Sequence, residues 1–245
     1  MSKKDKMDLA RIDAIAQRLK ANKLGRPLIE FGIMMDVQIN LVTDMADMTL
    51  YSYNIFSGHT IDLNANYSDA ELFVALAHEL RHCEQFQCMD FQCFSEFSLK
   101  DAILLQRYLE ADASTYACAV AYQEYKTTNN KEFLKAAEIE GEADIARSFI
   151  AMMGKNNQDL NDVHAYRAAF NQWFKCDERV SDYDARLKEN YDGLKNSFMA
   201  MMRPKTKKRI SQKFLKPLGD IGPGLNYIHG PGGIKLESKR YCAYT

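Results

Sequence analysis

The segment Ser68–Cys88 constrains the fold of this chain more than any other. It reads SDAELFVALAHELRHCEQFQC and contains neither glycine nor proline. Apolar residues recur in it at helical spacing, which predicts one uninterrupted helix. Ser68 and Glu71 match the S-x-x-E pattern of a capping box and indicate where the helix begins. The turns over residues 72–77 are apolar nearly all round, so we expect this helix to be buried among the other elements.

The same helix carries His78-Glu79-Leu-Arg-His82, an H-E-x-x-H motif. Histidines four residues apart lie on one face of a helix, so both imidazoles can bind one metal ion. A glutamate beside the first histidine can act on a water molecule at that ion, as in hydrolytic zinc sites. The alternative is an amphipathic helix with surface histidines, but a histidine on a buried helix needs a polar partner. The motif therefore predicts one Zn²⁺ per chain, bound by His78 and His82, with Glu79 as the catalytic base.

A third ligand must come from elsewhere, because catalytic zinc sites usually have three protein ligands. We favour Glu110, since Ala113 and Ala117 on the same helical face would let two helices approach closely. Asp112 lies about 200° around the helix from Glu110 and cannot bind the same ion. We predict that Asp112 orients a histidine or bonds a neighbouring element; a buried ion pair is the alternative for both acids. The other candidates are Glu96, Glu140, Glu142 and Asp144.

These residues carry a resemblance to known proteins. His78–His82 followed by Glu110-Ala-Asp-Ala113 resembles the gluzincin type of metallopeptidase, in which a second helix supplies a glutamate ligand. It is most similar to bacterial gluzincin-like metallopeptidase domains of otherwise unknown function that carry H-E-x-R-H and a downstream E-A-D-A. The resemblance covers about residues 50–125, or at most residues 50–191, and does not extend to the C-terminal residues 203–245. It implies a zincin-like fold, zinc ligands at His78, His82 and Glu110, and a peptide or protein substrate.

One position departs from the pattern of related families. In several of them the ligand glutamate stands four residues before the aspartate, and Tyr108 occupies that place here. Glu140 does precede Asp144 by four residues, so the segment 140–144 stays the main rival for the third ligand.

The resemblance also implies a reaction, the hydrolysis of peptide bonds by a metal-activated water. Glu79 would act as general base and then return the proton to the leaving amine. Such a reaction also uses a hydrogen-bond donor to the oxyanion. Tyr183 and His164 are the candidates, with packing or surface exposure as the alternative for each.

The rest of the chain predicts an α+β protein that is mostly α-helical, with a small β-sheet before the H-E-x-x-H helix. Helical patterns extend over residues 5–23, 99–126, 131–153, 163–176 and 185–202. Aromatic and β-branched residues on both sides of Ser57-Gly58 predict a β-hairpin within residues 49–66. The segment 28–48 fits a helix or a strand.

The second strand of this hairpin has a predicted role in substrate binding. Ile61 and Leu63 alternate with polar residues, which indicates a half-exposed strand. We expect this strand to be a sheet edge with which an extended peptide can pair. His59 at the turn is a possible further ligand, although a surface histidine is the favoured interpretation.

Composition and charge limit the binding partners and the cellular compartment that we expect for this protein. A net charge of −1 over 245 residues gives no overall attraction to nucleic acid or anionic membrane, and no apolar run is as long as a membrane span. The basic N-terminus lacks the apolar core of a signal peptide. Six cysteines include no C-x-x-C pair, so we predict a cytoplasmic protein with reduced thiols. The spacing of Cys83, Cys88 and Cys93 scatters them around a helix and disfavours a thiolate metal site.

The composition changes at Arg203, after which glycine and proline become frequent. We predict a domain of residues 1–202 followed by an extended tail, residues 203–245. Residues 203–216 contain seven basic and no acidic side chains, for which a solvated surface is favoured over nucleic-acid or lipid binding. Two functions therefore stand: a zinc-dependent peptidase, or a non-catalytic helical interaction protein with a structural metal that acts through its basic tail.

Overall fold

The computed structural model describes residues 3–43, 50–54, 58–89, 94–138, 142–155, 159–195, 207–222 and 224–236. These residues are mainly helical, with a three-stranded sheet that precedes the H-E-x-x-H helix in the chain. The predicted fold class, α+β and mostly α-helical, is therefore confirmed.

Most predicted helices are present, some with different bounds. The helices are α1 Lys3–Ala21, α2 Gly25–Met34, α3 Asp69–Cys88, α4 Leu99–Thr128, α5 Glu132–Ala136, α6 Ala143–Lys155, α7 Val163–Trp173 and α8 Asp177–Lys195, with a 3₁₀ turn at Phe94–Glu96. The single helix predicted over residues 131–153 is wrong, because α5 and α6 are separate. Gly141 lies in the sequence between them, and glycine is a poor helix former. The helix predicted to begin at Ala185 begins earlier, at Asp177.

The sheet contains β1 Gln38–Val42, β2 Leu50–Asn54 and β3 Gly58–Asn64 in the order β1-β3-β2. Strand β2 is antiparallel to β3, which confirms the predicted hairpin, although residues 55–57 lie outside the described chain. Strand β1 pairs in parallel with the other side of β3. The prediction that β3 is a sheet edge is wrong, because β1, from the ambiguous segment, covers it. Ile61 and Leu63 are accordingly buried rather than half-exposed.

Helix α3 lies at the centre of the fold, as its apolar turns predict. The capping box is formed: Ser68 Oγ accepts from the backbone N–H of Glu71, whose carboxylate accepts from the backbone N–H of Ser68 at 2.7 Å. Helices α1, α2, α4 and α5 and strand β3 all pack against α3. Leu72, Phe73 and Leu76 have no exposed surface. The histidine motif is thus held on a helix that its neighbours fix on several sides.

The C-terminal segment differs from the extended tail that composition predicts. Residues 207–222 and 224–236 pack against the helices and include a small hairpin, β4 Asp220–Gly222 with β5 Leu225–Asn226. Leu218, Tyr227 and Ile228 are buried in the common core. Large apolar side chains spaced among the glycines and prolines give this segment enough surface to bury. The division of the chain at residue 202 stays a prediction.

Part of the basic stretch also contacts the body of the protein. Lys207 Nζ donates to the carbonyl of Ser95 at 2.5 Å, and Lys208 Nζ lies 2.8 Å from Glu96 Oε2. These contacts agree with the surface interpretation of the stretch. Within the described ranges, none of the helices is both long and apolar enough to cross a membrane. The cytoplasmic location stays a prediction.

Asn22 connects the turn between α1 and α2 to α4. Its Oδ1 accepts from the backbone N–H groups of Leu24 and Gly25 at 3.1 and 3.0 Å. Its Nδ2 donates to the carbonyl of Val120 at 3.2 Å and to Glu124 Oε2 at 3.1 Å. The amide is buried, so all of these bonds form away from solvent.

We therefore expect Asn22→Leu to destabilise the protein. The free energy of unfolding should fall by roughly 1–3 kcal/mol for each buried polar group left without a partner, as measured by urea unfolding. Gln17→Leu, at an exposed position of α1, is the control and should change stability by less than about 0.5 kcal/mol. Equal stability of the two variants would contradict the account of this turn.

Candidate metal centre

Three predicted ligand residues meet between α3 and α4. His78 and His82 lie one turn apart on α3, with their Nε2 atoms 3.0 Å from each other. Glu110 Oε2 on α4 lies 3.6 Å from His78 Nε2 and 3.4 Å from His82 Nε2. Among the described residues, this is the one group of His, Cys, Asp or Glu side chains whose ligand atoms converge, all within 4.8 Å. The structure therefore brings together two imidazole nitrogens and a carboxylate oxygen.

The packing of α4 against α3 explains why Glu110 reaches the histidines. Ala113 and Ala117, on the same face of α4 as Glu110, are buried. Their small side chains permit a close approach of the two helices, as the sequence predicts. The side chain of Glu110 is only 14% exposed, so its carboxylate faces the histidines rather than solvent.

A hydrogen-bond chain defines the neutral form of His82. Gln85 Nε2 donates to the carbonyl of Leu109 at 3.0 Å and to Asp112 Oδ2 at 2.7 Å. Both partners are acceptors, so this end of the amide is the NH₂ group, and Oε1 faces His82 Nδ1 at 2.8 Å. An amide oxygen can only accept, so Nδ1 of the neutral ring carries the proton. The Nε2 lone pair is then free to bind a metal ion.

Asp112 lies apart from the ligand cluster, as predicted, and is fully buried. Arg81 Nε donates to its Oδ2 at 2.8 Å, and Tyr227 Oη donates to its Oδ1 at 2.6 Å. Burial raises the pKa of Asp112, but the charge of Arg81 and the hydrogen bonds from Arg81, Tyr227 and Gln85 outweigh it and lower the pKa. Asp112 thus contacts Gln85, the neighbour of His82, and also forms the buried ion pair that the sequence left as its alternative.

The surroundings of the cluster are acidic. Burial lowers the pKa of His78, but the hydrogen bond to Glu110 and the charges of Glu79, Glu142 and Glu110 raise it to about 10. Burial also lowers the pKa of His82, but the charge of Glu110 outweighs this effect, so the pKa of His82 is raised overall. The pKa of Glu110 is lowered: burial raises it, and the two histidines outweigh that effect. The cluster therefore attracts positive charge, which protons or a metal ion can supply.

The other acidic residues that were candidates for the third ligand have different partners in the structure. Glu96 pairs with Lys208, and Asp144 accepts from Arg179 and Gln172. Glu142 accepts a hydrogen bond from Ser114 Oγ on α4. Burial raises the pKa of Glu142, an effect that the charge of His78 partly offsets. Glu142 therefore lies near the cluster without being a member of it, and Glu140 lies outside the described residues.

The remaining predicted residues lie elsewhere. His59 is buried in β3, its Nε2 3.3 Å from Gln87 Nε2, so its expected surface position is wrong. Tyr183 packs against Trp173 with ring centroids 5.5 Å apart, and His164 is exposed in the first turn of α7. Their roles as oxyanion donors stay predictions. No cysteine in the described part of the chain belongs to the cluster. Cys93 and Cys242 are not among the described residues.

The sequence analysis did not identify two residues that support the site, Gln85 and Tyr227. Gln85 stands three residues after His82 on the same helix, a spacing that places side chains side by side and could have indicated it. Tyr227 could not be found in this way, since 115 residues separate it from Asp112.

Comparison with known proteins agrees with this geometry. No curated protein and no solved structure matches the chain significantly. One family profile matches residues 1–228, which include both helices of the cluster and most of the described C-terminal segment. The predicted extent of the resemblance, from residue 50 to residue 191 at most, was therefore too short. The chain therefore belongs to the family described as "Putative metallopeptidase family (DUF6782)".

Proposed function

We propose that this protein is a zinc-dependent peptidase with a zincin-like core. His78, His82 and Glu110 would hold the metal ion, and Glu79 would be the general base. The observation that carries the proposal is the convergence of two imidazole nitrogens and a carboxylate oxygen on adjacent buried helices. Membership in a family described as metallopeptidase supports a peptide or protein substrate.

The donor set fits zinc. Two imidazoles and one carboxylate are among the combinations that catalytic zinc sites use, and three is their usual number of protein ligands. A bound zinc ion would supply a Lewis acid that polarises a carbonyl and lowers the pKa of water. The proton on Nδ1 of the neutral His82 ring leaves its Nε2 available as a ligand, so the residues present meet the chemical requirement.

Glu79 supplies the proton transfer in this proposal. It is buried beside His78 on α3, and its charge raises the pKa of both His78 and His82. The carboxylate is therefore close to the cluster without being one of its three converging donors. It would accept a proton from the attacking water and deliver it to the leaving amine. Tyr183 and His164 remain the proposed candidates for an oxyanion donor.

The non-catalytic alternative depends on a free basic tail. In the described part of that stretch, Lys207 and Lys208 contact Ser95 and Glu96, and Leu215 and Leu218 further along are buried in the core. This arrangement favours the peptidase and gives no support to nucleic-acid binding through the tail.

Replacement of Glu79 tests the catalytic proposal. Glu79→Gln should keep one zinc per chain, measured by elemental analysis after dialysis, because Glu79 is not a ligand. Hydrolysis of a peptide library by this variant should fall about 10²–10⁴-fold, the usual effect of losing a general base. Loss of zinc from Glu79→Gln would mean that Glu79 is a ligand, and undiminished hydrolysis would exclude it as the base.

A second set of variants tests the third ligand. Glu110→Gln removes the anionic donor from a site with two neutral ones, so zinc affinity in competition with a chelator should drop sharply. Glu142→Gln is the matched control, because it changes the same side chain nearby and should leave the zinc bound. Glu140→Gln should do the same. If Glu140→Gln or Glu142→Gln releases zinc and Glu110→Gln does not, the ligand comes from the later segment.

A further inference from the structure

We propose that Gly219 and Tyr227 of the C-terminal segment position the metal ligand His82 through Asp112 and Gln85. The inference rests on the proposed function, because it concerns a ligand of that metal site. It assigns a role to a part of the chain whose composition suggested only an extended tail. Asp112, Gln85 and Tyr227 are positioning residues here, since each acts on the ion through another side chain.

The first step joins Gln85 to His82. The amide of Gln85 is held at three points: Nε2 donates to Leu109 O and Asp112 Oδ2, and Oε1 accepts from His82 Nδ1. A rotation of this amide would place its NH₂ group against the Nδ1 proton of His82. Asp112 therefore helps to decide which end of Gln85 faces the imidazole.

The second step joins Asp112 to the C-terminal segment. Its Oδ1 accepts from the Tyr227 hydroxyl at 2.6 Å, from the backbone N–H of Gly219 at 3.0 Å and from Arg81 Nη2 at 3.3 Å. Its Oδ2 accepts from Arg81 Nε and Gln85 Nε2. A buried carboxylate is held in place by such donors, and two of these five come from the C-terminal segment.

The segment presents these two donors as a fixed pair. The backbone N–H of Tyr227 donates to the carbonyl of Gly219 at 2.9 Å, so the two residues are bonded to each other. Gly219 has a φ of +77°, and a Cβ atom there would lie 2.7 Å from Ile228 Cγ1. The ring of Tyr227 stacks on Tyr166 with centroids 5.6 Å apart. A fully buried, stacked ring and a glycine closely packed against Ile228 hold this pair of donors in place.

Removal of the Tyr227 hydroxyl should weaken metal binding without removing a ligand. Loss of an outer hydrogen bond usually costs about 10–100-fold in metal affinity. We expect Gln85→Leu, which removes the acceptor of the His82 proton, to fall in this range. Tyr227 is one hydrogen bond further from the ion than Gln85. The loss of zinc affinity in Tyr227→Phe should therefore lie near the lower end of this range, at about tenfold.

The chain offers a matched control for Tyr227→Phe. Tyr166 stacks on Tyr227 and is equally buried, but its hydroxyl has no hydrogen-bond partner among the described residues. Tyr166→Phe therefore removes the same atom from the same aromatic stack without touching Asp112. Its zinc affinity should equal that of the unmodified protein.

The experiment is a chelator competition with Zn²⁺ on the full chain, for the unmodified protein, Tyr227→Phe, Gln85→Leu, their double variant and Tyr166→Phe. If Tyr227 acts through Gln85, the double variant should bind zinc about as weakly as Gln85→Leu alone, because the two changes are not independent. The absorption bands of bound Co²⁺ should shift in the same variants and stay unchanged in Tyr166→Phe. A merely structural effect would not produce this pattern.

Three outcomes would overturn the inference. Zinc affinities of Tyr227→Phe and Gln85→Leu equal to that of Tyr166→Phe would show that the segment has no influence on the site, while the proposed function would stand. Additive losses in the double variant would exclude a positioning role through Gln85. An unmodified protein that binds no zinc would overturn the proposed function as well. Gln85→Met replaces Gln85→Leu if that variant does not fold.

Discussion

The buried carboxylate of Asp112 joins the three parts of the chain that form the candidate site. It accepts from Arg81 and Gln85 on α3, belongs to α4, and accepts from Gly219 and Tyr227 of the C-terminal segment. Arg81 in turn lies over the ring of Tyr116, 4.7 Å from its centroid. Breaking a buried ion pair by removing one partner typically costs about 3–5 kcal/mol. Asp112 therefore helps to fix the relative position of α3 and α4, and with it the distance between the histidines and Glu110.

The two acids of the E-A-D-A segment thus have different physical tasks on one helix. Glu110 faces the imidazoles, and Asp112, on another side of α4, faces Arg81. The positive charge of Arg81 is balanced by the carboxylate of Asp112. Arg81 therefore adds little positive potential to the cluster. The cluster contains one carboxylate, and Glu79 and Glu142 lie nearby. Together these three charges raise the pKa of His78 and favour a cation. The candidate metal site and the ion pair next to it therefore lie side by side on the same two helices.

Local signals predicted the helix and its two candidate ligands, whereas long-range pairing could not be read from the sequence. Ser68, Glu71 and the two histidines act within a few residues of one another, so spacing alone was sufficient. Glu110 followed from small neighbours and a family resemblance. Strand β3 was predicted as an edge, because nothing in its own residues reveals that β1 pairs with it. The contact of Tyr227 with Asp112 spans 115 residues and lies in a segment whose glycines and prolines suggest no fixed structure.

The central claim is that two histidines and a glutamate hold a zinc ion between α3 and α4. X-ray absorption at the zinc K-edge of the zinc-loaded full chain tests it most directly, because it reports the atoms bound to the ion. The account predicts nitrogen and oxygen neighbours at about 2.0–2.2 Å, with the scattering pattern of imidazole. Sulfur neighbours at about 2.3 Å would instead indicate a cysteine site. That result, or a chain that retains no zinc, would contradict the account.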